Sequence, residues 1–474
     1  MPLPIISLEQ MREWENLTWA TGQTEAEVIR RVGLAVARRA LELTEPSDLI
    51  LILAGKGHNG DDARALRKHL PKRRVDLLDV NDPAQNLAKL NAALSLRPAL
   101  IIDGLFGIGL NRPLSPAWVQ FIEQVNQARL KVLAVDVPSG LDVSTGQSQG
   151  AVIEAFITLT VGAPKLGLLS SAAWSFVGRL EIAHEVGLSE PPPPGELQWT
   201  LHRDFKDFPP RRAVAGHKGT YGHLAIIAGS LGYHGAAVLT SRGAQRAQPG
   251  LITLYTPEPA YHVVASQLQA VMVSPWRSDS KLPENRTAIL IGPGLAAPDL
   301  PDQIKLLVAE VWRKFPGPVI VDASALAWVP RMSGPLPGAR VITPHPGEAA
   351  RLLETDSKEV QSNRVQALRD LSQRFGGTWV ILKGHQTLVG RNEGEVYVNS
   401  SGNPHLAQGG SGDVLSGYLA GLLAQPELQK DPLTTMRYGV WQHGAAADAL
   451  QRGQSNWVVE DLVAHLGRSD LTAR

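Results

Sequence analysis

Short apolar runs recur along the first 190 residues, and helical patterns fill the gaps between them. The runs occupy residues 49–54, 75–80, 99–102, 132–135 and 157–161. Between the third and fourth runs, residues 116–125 carry apolar side chains at helical spacing. Continuously apolar strands are typical of a parallel sheet whose two faces are both covered by helices. The pattern therefore predicts an α/β domain with three layers.

The second half repeats this rhythm. Apolar runs occupy residues 223–228, 251–255, 288–291, 319–321, 341–343, 380–382 and 395–398, with helical patterns over 236–247 and 303–314. Four consecutive prolines, 191–194, separate the halves, and such a run continues neither a helix nor a central strand. We predict an α/β domain over 1–187, a proline-rich linker over 188–200 and a second α/β domain over 201–474.

Composition narrows the range of functions. The 474 residues are enough for two or three domains, and their formal net charge of +1 gives no sign of a nucleic-acid partner. The chain has no cysteine, which excludes disulfides, thiolate metal sites and cysteine nucleophiles. No apolar stretch reaches the ~20 residues that span a bilayer. We expect a cytoplasmic protein with neither nucleic-acid nor membrane partners.

A glycine-rich segment near the C-terminus is the strongest chemical signal. Residues 409–417 read GGSGDVLSG, and an apolar helical pattern begins at Val414. Small residues before a helix expose backbone N–H groups that bind anions. Asp413, in the predicted first turn, could take a proton from a hydroxyl while these N–H groups hold a phosphoryl group. An isolated GSGD would more simply be an ordinary loop.

Other polar residues of the second half follow predicted strands, where ligands of open α/β sheets bind. They are Gly294, Asp322, His345 between two prolines, and Lys383. Alone, His345 would be a turn histidine and Lys383 a surface strand end. Together with the glycine-rich segment, they predict a nucleotide site.

These motifs, with HKGTYGH at 217–223, PHPGE at 344–348 and GNP at 402–404, occur in the order typical of NAD(P)H-hydrate dehydratases. The resemblance runs from about Arg212 to the C-terminus. It implies a ribokinase-like fold, Mg²⁺, and ADP as phosphoryl donor, with ATP used by eukaryotic relatives.

By this resemblance, Asp413 is the base that activates the hydrate hydroxyl. The other implied contacts are Gly410, Ser411 and Gly412 for the transferring charge; Lys383, Gly384, His385, Gln386 and Thr387 for the nucleotide; and Ala236, Gly294, His345 and Asp413 for the hydrate. Ser324 departs from the family, which usually has a second acid there. We expect activity with altered substrate contacts.

The first half carries three weaker signals at strand ends. A glycine-rich turn, GKGHNGDD at 55–62, follows the first apolar run, and Asp103 and Asp136 follow later ones. In a dinucleotide-binding fingerprint an acid is expected about 20 residues after the turn; Asp79 is the nearest candidate but not a compelling match, and such a turn is often only a tight strand–helix connection. Asn59, Asp103 and Ser139 offer oxygen ligands that suit a hard cation.

These stretches resemble the Rossmann-like NAD(P)H-hydrate epimerase domain, which would interconvert the R and S hydrates of NADH and NADPH before the S form is dehydrated. The resemblance implies K⁺ at Asn59, Asp103 and Ser139, with Asp136 as acid/base, and it hints at a homo-oligomer. The implied substrate contacts are His58, Asn59, Gly60, Asp61, Asp62, Gly107, Ile108, Gly109, Leu110, Asn111, Arg112, Pro113 and Asp136.

The glycine-rich turn departs from the epimerase pattern. Asp61 and Ala63 stand where the family usually has glycine, and Ala63 lacks freedom at positive φ, so a weakened epimerase is an alternative. Two further alternatives remain. The second half could be a ribokinase-like kinase for a vitamin precursor, and the first half a non-catalytic binding module.

Overall fold

The computed structural model describes residues 2–468. The chain divides into two compact units, Leu3–Gly195 and the residues from Glu196 onward. Among the described residues, no helix is both long and apolar enough to cross a membrane.

The first unit alternates strands and helices, as its apolar runs predict. Its strands are β1 (Leu3–Pro4), β2 (Leu49–Ala54), β3 (Arg74–Asp79), β4 (Leu100–Gly104), β5 (Val132–Val135), β6 (Ile157–Val161) and β7 (Arg179–Ala183). Its helices are α1 (Leu8–Ala20), α2 (Glu25–Glu42), α3 (His58–Ala65), α4 (Pro83–Ser95), α5 (Pro116–Gln127) and α6 (Trp174–Val177).

Six of these strands form one parallel sheet in the order β3-β2-β4-β5-β6-β7. Its central strands are fully buried, including Ile52 and Ile102. The chain order reverses between β2 and β4, and their carboxyl ends therefore flank the crevice where open α/β sheets bind ligands. Asn59 follows β2, and Asp103 lies at the end of β4.

The second unit has more strands than its apolar runs predict. Its strands are β8 (Leu197–Thr200), β9 (His223–Ile227), β10 (Leu251–Pro257), β11 (Met272–Trp276), β12 (Ala288–Ile291), β13 (Val319–Val321), β14 (Arg340–Ile342), β15 (Trp379–Leu382), β16 (Leu388–Gly390) and β17 (Val396–Asn399). Its helices are α7 (His234–Ala247), α8 (Glu258–Ala265), α9 (Asp302–Lys314), α10 (Pro346–Leu353), α11 (Ser357–Ser362), α12 (Arg364–Arg374), α13 (Ser411–Leu423), α14 (Pro432–Gly453) and α15 (Val459–His465).

The sheet of this unit has the order β8-β17-β16-β15-β14-β13-β12-β9-β10-β11. The α/β class predicted for both halves is confirmed, but this sheet is mixed, because β16 runs antiparallel to β15 and to β17. The linker prediction is wrong at its end. Residues 197–200 form β8 and pair in parallel with β17.

Close packing of α7 against α13 fixes the position of the glycine-rich segment. A Cβ atom on Gly417 would collide with the carbonyl oxygen of Thr240, and one on Gly243 with that of Val414. Glycine at both positions therefore lets the two backbones touch. Asp413 lies one turn before Gly417 on the same helix, so its position depends on this contact.

We expect Gly417→Ala to lower the free energy of unfolding of the second unit by about 1–3 kcal/mol, because the new methyl group has no space. Urea unfolding followed by tryptophan fluorescence would measure the change. Gly453→Ala is the matched control, since no atom lies within 4 Å of a Cβ built at that helix end. Equal unfolding midpoints for the two variants would contradict the proposed helix contact.

Candidate functional site

The glycine-rich segment begins helix α13, as the sequence predicts. The helix starts at Ser411, and the preceding Gly410 has a φ of 93° and no side chain that could cap it. Ser411 is fixed from both sides: its Oγ donates to the carbonyl of Leu406 (2.8 Å), and its own carbonyl lies 3.0 Å from Nε2 of the buried His443. Burial lowers the pKa of His443 to about 4, so this ring is neutral. The segment is thus a rigid helix N-terminus suited to an anion.

Asp413 lies in the first turn of α13. Its pKa is raised to about 7, chiefly by burial, and the charges of Asp322 and Glu348 together outweigh the opposite effect of Lys383. A carboxylate that titrates near neutral pH is well matched to general base catalysis.

Lys383 connects two strand ends to the helix N-terminus. Its Nζ lies 2.9 Å from Oδ1 of Asp322, which also accepts a hydrogen bond from Oγ1 of Thr343 (2.6 Å). The same Nζ would lie 3.4 Å from a Cβ atom on Gly412. Burial lowers the pKa of Lys383, but attraction to Asp322 and Glu348 outweighs that effect and raises it. A permanent cation therefore faces the anion site.

His345 caps helix α10. Its Nδ1 accepts hydrogen bonds from the backbone N–H groups of Gly347 (3.0 Å) and Glu348 (3.3 Å), and the N–H of His345 donates in turn to Oε2 of Glu348 (2.8 Å). Burial lowers its pKa. Through its Nδ1, His345 therefore serves the turn, which is one of the two interpretations of the sequence. Half of its side chain stays exposed and is accessible to a ligand.

The segment of residues 383–387 joins β15 to β16, and Arg364 holds it in shape. The buried guanidinium donates to the carbonyls of Leu382 (3.0 Å), Lys383 (3.2 Å) and His385. Burial lowers the pKa of Arg364 to about 10 and that of His385 to about 4. The sequence analysis missed Arg364, since it belongs to no motif and lies 19 residues before Lys383.

Ala236 and Gly294 lie side by side. A Cβ atom on Gly294 would be 2.8 Å from Cβ of Ala236 in the first turn of α7. Ser230 joins the two loops, because its Oγ donates to the carbonyl of Gly294 (2.6 Å) and accepts from the N–H of Ala297 (3.1 Å). Ala236 and Gly294, two of the residues assigned to the hydrate by resemblance, thus lie on one surface.

In the first unit, the three predicted cation ligands come together around the β4 exit. Both carboxylate oxygens of Asp103 accept from Ser139, from Oγ (2.6 Å) and from N–H (2.8 Å). Asn59 donates to the carbonyl of Phe106 (2.8 Å), and the N–H of Phe106 donates to Ser139 Oγ (2.8 Å). Burial raises the pKa of Asp103 to about 6. Within residues 2–468, the buried Oδ1 of Asn59 has no hydrogen-bond partner.

Asp136 combines a strained backbone with a buried ion pair. It follows β5 with a φ of 63°, and its Oδ1 accepts from Lys165 Nζ (2.5 Å), Thr160 Oγ1 (3.0 Å) and the N–H of Val161 (2.9 Å). Lys165 is completely buried. Strain and a buried charge pair both concentrate at functional sites. Sequence reasoning assigned no role to Lys165.

The charge of Asp136 acts on two more carboxyl groups. Burial raises the pKa of Asp62 well above its usual range, and the charges of Asp136 and Asp61 add to this effect. Burial and Asp136 likewise raise the pKa of Glu15 on α1. Neighbouring carboxyl groups with different proton affinities suit acid/base chemistry. Sequence reasoning missed Glu15, which is far away along the chain.

The glycine-rich turn of the first unit forms the start of α3, where His58 to Asp62 are helical. The expectation that position 63 needs a positive φ is wrong, since Ala63 lies inside this helix. Asp61 binds Arg64 (2.9 Å). Residues 107–113 form a loop between β4 and α5, in which a Cβ on Gly107 would lie 3.2 Å from Cβ of Asn59.

Comparisons with known proteins find relatives for both halves of the chain. A family model described as NAD(P)H-hydrate dehydratase matches residues 224–467, and one described as YjeF-related protein N-terminus matches residues 74–167. The chain is 33% identical to the bifunctional NAD(P)H-hydrate repair enzyme Nnr of Coxiella burnetii, over 96% of this chain and 97% of that protein. It is 37% identical to the enzyme of the same name from Vibrio cholerae, over 77% of this chain and 74% of that protein.

Among solved structures, the chain is similar to an ADP/ATP-dependent NAD(P)H-hydrate dehydratase from Bacillus subtilis, co-crystallised with ATP/Mg²⁺. The identity is 32% and the TM-score 0.49, and the match covers 54% of this chain and 91% of that one. The near full-length relatives and the dehydratase model, which spans more than half of the chain, confirm the resemblance drawn from the motifs. The chain belongs to the family of bifunctional NAD(P)H-hydrate repair enzymes.

Proposed function

We propose that this chain repairs hydrated NADH and NADPH with both activities that its family combines. The second unit dehydrates the S hydrate at the expense of ADP, and the first interconverts the R and S hydrates. The observation that carries the dehydratase is Asp413, whose pKa of about 7 makes it a base next to an anion-binding helix N-terminus and the partly buried Lys383.

In the dehydratase, Asp413 takes the proton of the hydrate hydroxyl as the oxygen attacks the terminal phosphoryl group of ADP. The P–O bond to AMP breaks, and a phosphate ester forms on the ring. The lone pair of the ring nitrogen then expels phosphate from the carbon next to it, and the following ring carbon loses a proton, so that a double bond forms between these two carbons and NADH or NADPH is restored. The backbone N–H groups at Gly410 to Gly412 and the ammonium group of Lys383 stabilise the charge on the transferring group.

Mg²⁺ supplies positive charge to the phosphates of the nucleotide. Within residues 2–468, no cluster of three His, Asp or Glu side chains could hold a metal ion by itself. ADP as donor rests on the family resemblance, and ATP would meet the same groups of Lys383 and α13.

In the epimerase, inversion needs the C–O bond next to the ring nitrogen to break and to re-form on the other face. Protonation of the hydroxyl lets water leave, and deprotonation of the returning water completes the cycle. Asp136 would move this proton, with Lys165 holding its carboxylate in place at 2.5 Å. The raised pKa values of Asp62 and Glu15 favour them as neighbouring proton donors.

K⁺ fits the group formed by Asn59, Asp103 and Ser139. The buried Oδ1 of Asn59, which has no hydrogen-bond partner among the described residues, is an oxygen that a cation would satisfy, next to a carboxylate and a hydroxyl. When bound, K⁺ would supply charge that attracts the phosphates of the substrate.

We also propose that the protein is cytoplasmic and forms a homo-oligomer. Light scattering of the purified chain would test the oligomeric state.

The test follows the absorbance of the reduced nicotinamide in an equilibrated R/S mixture of NADH hydrate with Mg²⁺, K⁺ and either ADP or ATP. We expect rapid, complete recovery, with ADP as the preferred donor. Recovery of the S fraction alone, followed by a tail at the spontaneous rate, would reject the epimerase. A stable phosphoester of a vitamin precursor without any recovery would instead identify the ribokinase-like kinase.

A further inference from the structure

An arginine-centred ion-pair network lies beside the crevice of the first unit. Arg64 on α3 donates from Nε to Asp79 Oδ1 (2.7 Å), from Nη1 to Asp61 Oδ1 (2.9 Å) and from Nη2 to the carbonyl of Gly55 (2.8 Å). Asp61 and Asp79 remain about half exposed, at 48% and 50% of their side-chain surface. The two carboxylates are thus held in place yet accessible.

The proposed site residues of the first unit form a row along the carboxyl ends of neighbouring strands, and the network lies at one end of this row. Asp136 follows β5, Asp103 ends β4, Asn59 follows β2, and Asp79 ends β3. These four strands are neighbours in the sheet. Adjacent strands are about 4.8 Å apart, so the row spans on the order of 15 Å. A dinucleotide with its hydrated ring at Asp136 and its phosphates at Asn59 would bring its adenosine ribose to Asp79.

Helix α3 carries an independent sign that a ligand lies along it. The side-chain oxygens Oδ1 of Asn59 and Oδ1 of Asp62 are buried, and neither has a hydrogen-bond partner within residues 2–468. Both residues are at least nine-tenths buried. Buried polar atoms of native proteins are nearly always satisfied, by protein, water or ligand. The Asn59 oxygen is the one proposed to bind K⁺, whereas the oxygen of Asp62, the residue next to Asp61, indicates a further polar ligand group in the crevice.

The chemistry of the network discriminates between the two substrates of the proposed function. In dinucleotide-binding folds, an acid at this strand end accepts the ribose 2′-hydroxyl, whereas an arginine nearby accommodates a 2′-phosphate. Here all three nitrogens of Arg64 are already engaged. A 2′-phosphate would meet two carboxylates and a cation that is neutralised by them. Lys56, exposed in the turn that precedes α3, is another cation near Asp61 along the chain.

We propose that Asp61 and Asp79, fixed by Arg64, bind the adenosine ribose and make the epimerase half selective for NADH hydrate over NADPH hydrate. This inference rests on the proposed epimerase function. It also gives Asp61 a role in the very position where the family usually has glycine, in place of the obstruction that the sequence alone suggested.

The experiment measures R-to-S conversion of each pure R hydrate by chromatography, without ADP so that the dehydratase is silent. We expect a wild-type kcat/KM for NADH hydrate at least about tenfold above that for NADPH hydrate. In the Asp61→Asn, Asp79→Asn double variant, the ratio should fall about tenfold, through a lower KM for NADPH hydrate at unchanged kcat. Asp76→Asn, an exposed aspartate on β3, should leave the ratio unchanged.

Equal wild-type efficiency with the two hydrates would overturn the inference without any variant. So would a preference for NADPH hydrate that Lys56→Ala abolishes. If neither hydrate is converted, the epimerase proposal itself fails, an outcome distinct from conversion without discrimination. Circular dichroism and ADP-dependent dehydration of S hydrate would establish that the double variant is folded.

Discussion

Asp413→Asn should reduce kcat for dehydration of S-NADH hydrate by about 10²–10⁴-fold, the range typical of a lost general base. Asparagine keeps the size of the side chain but accepts no proton. The helix N-terminus and Lys383 remain, so the KM for ADP should change little. Single-turnover measurement of reduced nicotinamide formation, with saturating ADP and Mg²⁺, would determine the effect on the chemical step.

Asp302→Asn is the matched control, because Asp302 also lies in the first turn of a 13-residue helix, α9, but outside the candidate site. It should retain full activity. If Asp413→Asn were as active as this control, the proton would have to leave by another route, and the assignment of Asp413 as the base would be wrong.

The pH dependence follows from the same residue. Burial and Asp322 raise the pKa of Asp413 to about 7, and only the ionised carboxylate can accept the proton. Activity should therefore increase about tenfold per pH unit below 7 and level off above it. A pH profile of kcat/KM for the S hydrate would measure this, and the Asp413→Asn variant should lose the dependence.

The fold was predictable wherever a strand is apolar without interruption. Strands β12 and β13 agree with their apolar runs residue for residue, because both faces of a central parallel strand are buried. Strand β7 was missed because Arg179 and Glu181 interrupt its apolar pattern at the edge of the sheet. Strand β16 was also missed, because its sequence is only two apolar residues followed by a glycine.

For the candidate site, local motifs predicted positions but not tertiary partners. The start of α13 could be read from its glycines, since backbone geometry there is decided by neighbouring residues. Arg364, His443 and Lys165 could not be found in this way. Each acts through a contact with residues distant along the chain or through complete burial. A local sequence pattern encodes neither the contact nor the burial.

Asp136→Asn should reduce the rate of R-to-S conversion by about 10²-fold or more while S-hydrate dehydration continues at the wild-type rate. In the equilibrated mixture, the S fraction should disappear rapidly and the R fraction only at the spontaneous rate. The variant also leaves the buried ammonium of Lys165 without its counter-charge, which typically costs about 3–5 kcal/mol of stability. Loss of activity alone would therefore not separate catalysis from unfolding of the first unit.

Thr160→Val provides that separation. It removes one hydrogen bond to Asp136 (3.0 Å) and one acceptor of Lys165 (2.9 Å) but keeps the carboxylate. If Asp136 is the acid/base, this variant should lose stability, seen as an earlier thermal transition, yet keep most of its epimerase rate below that transition. A folded Asp136→Asn protein that still converts R hydrate at the wild-type rate would contradict the assignment and leave Asp62, the buried carboxyl group next to it in the crevice, as the residue to test. Without R-hydrate conversion by the wild type itself, the first unit would be a binding module, and its buried ion pair would serve only the fold.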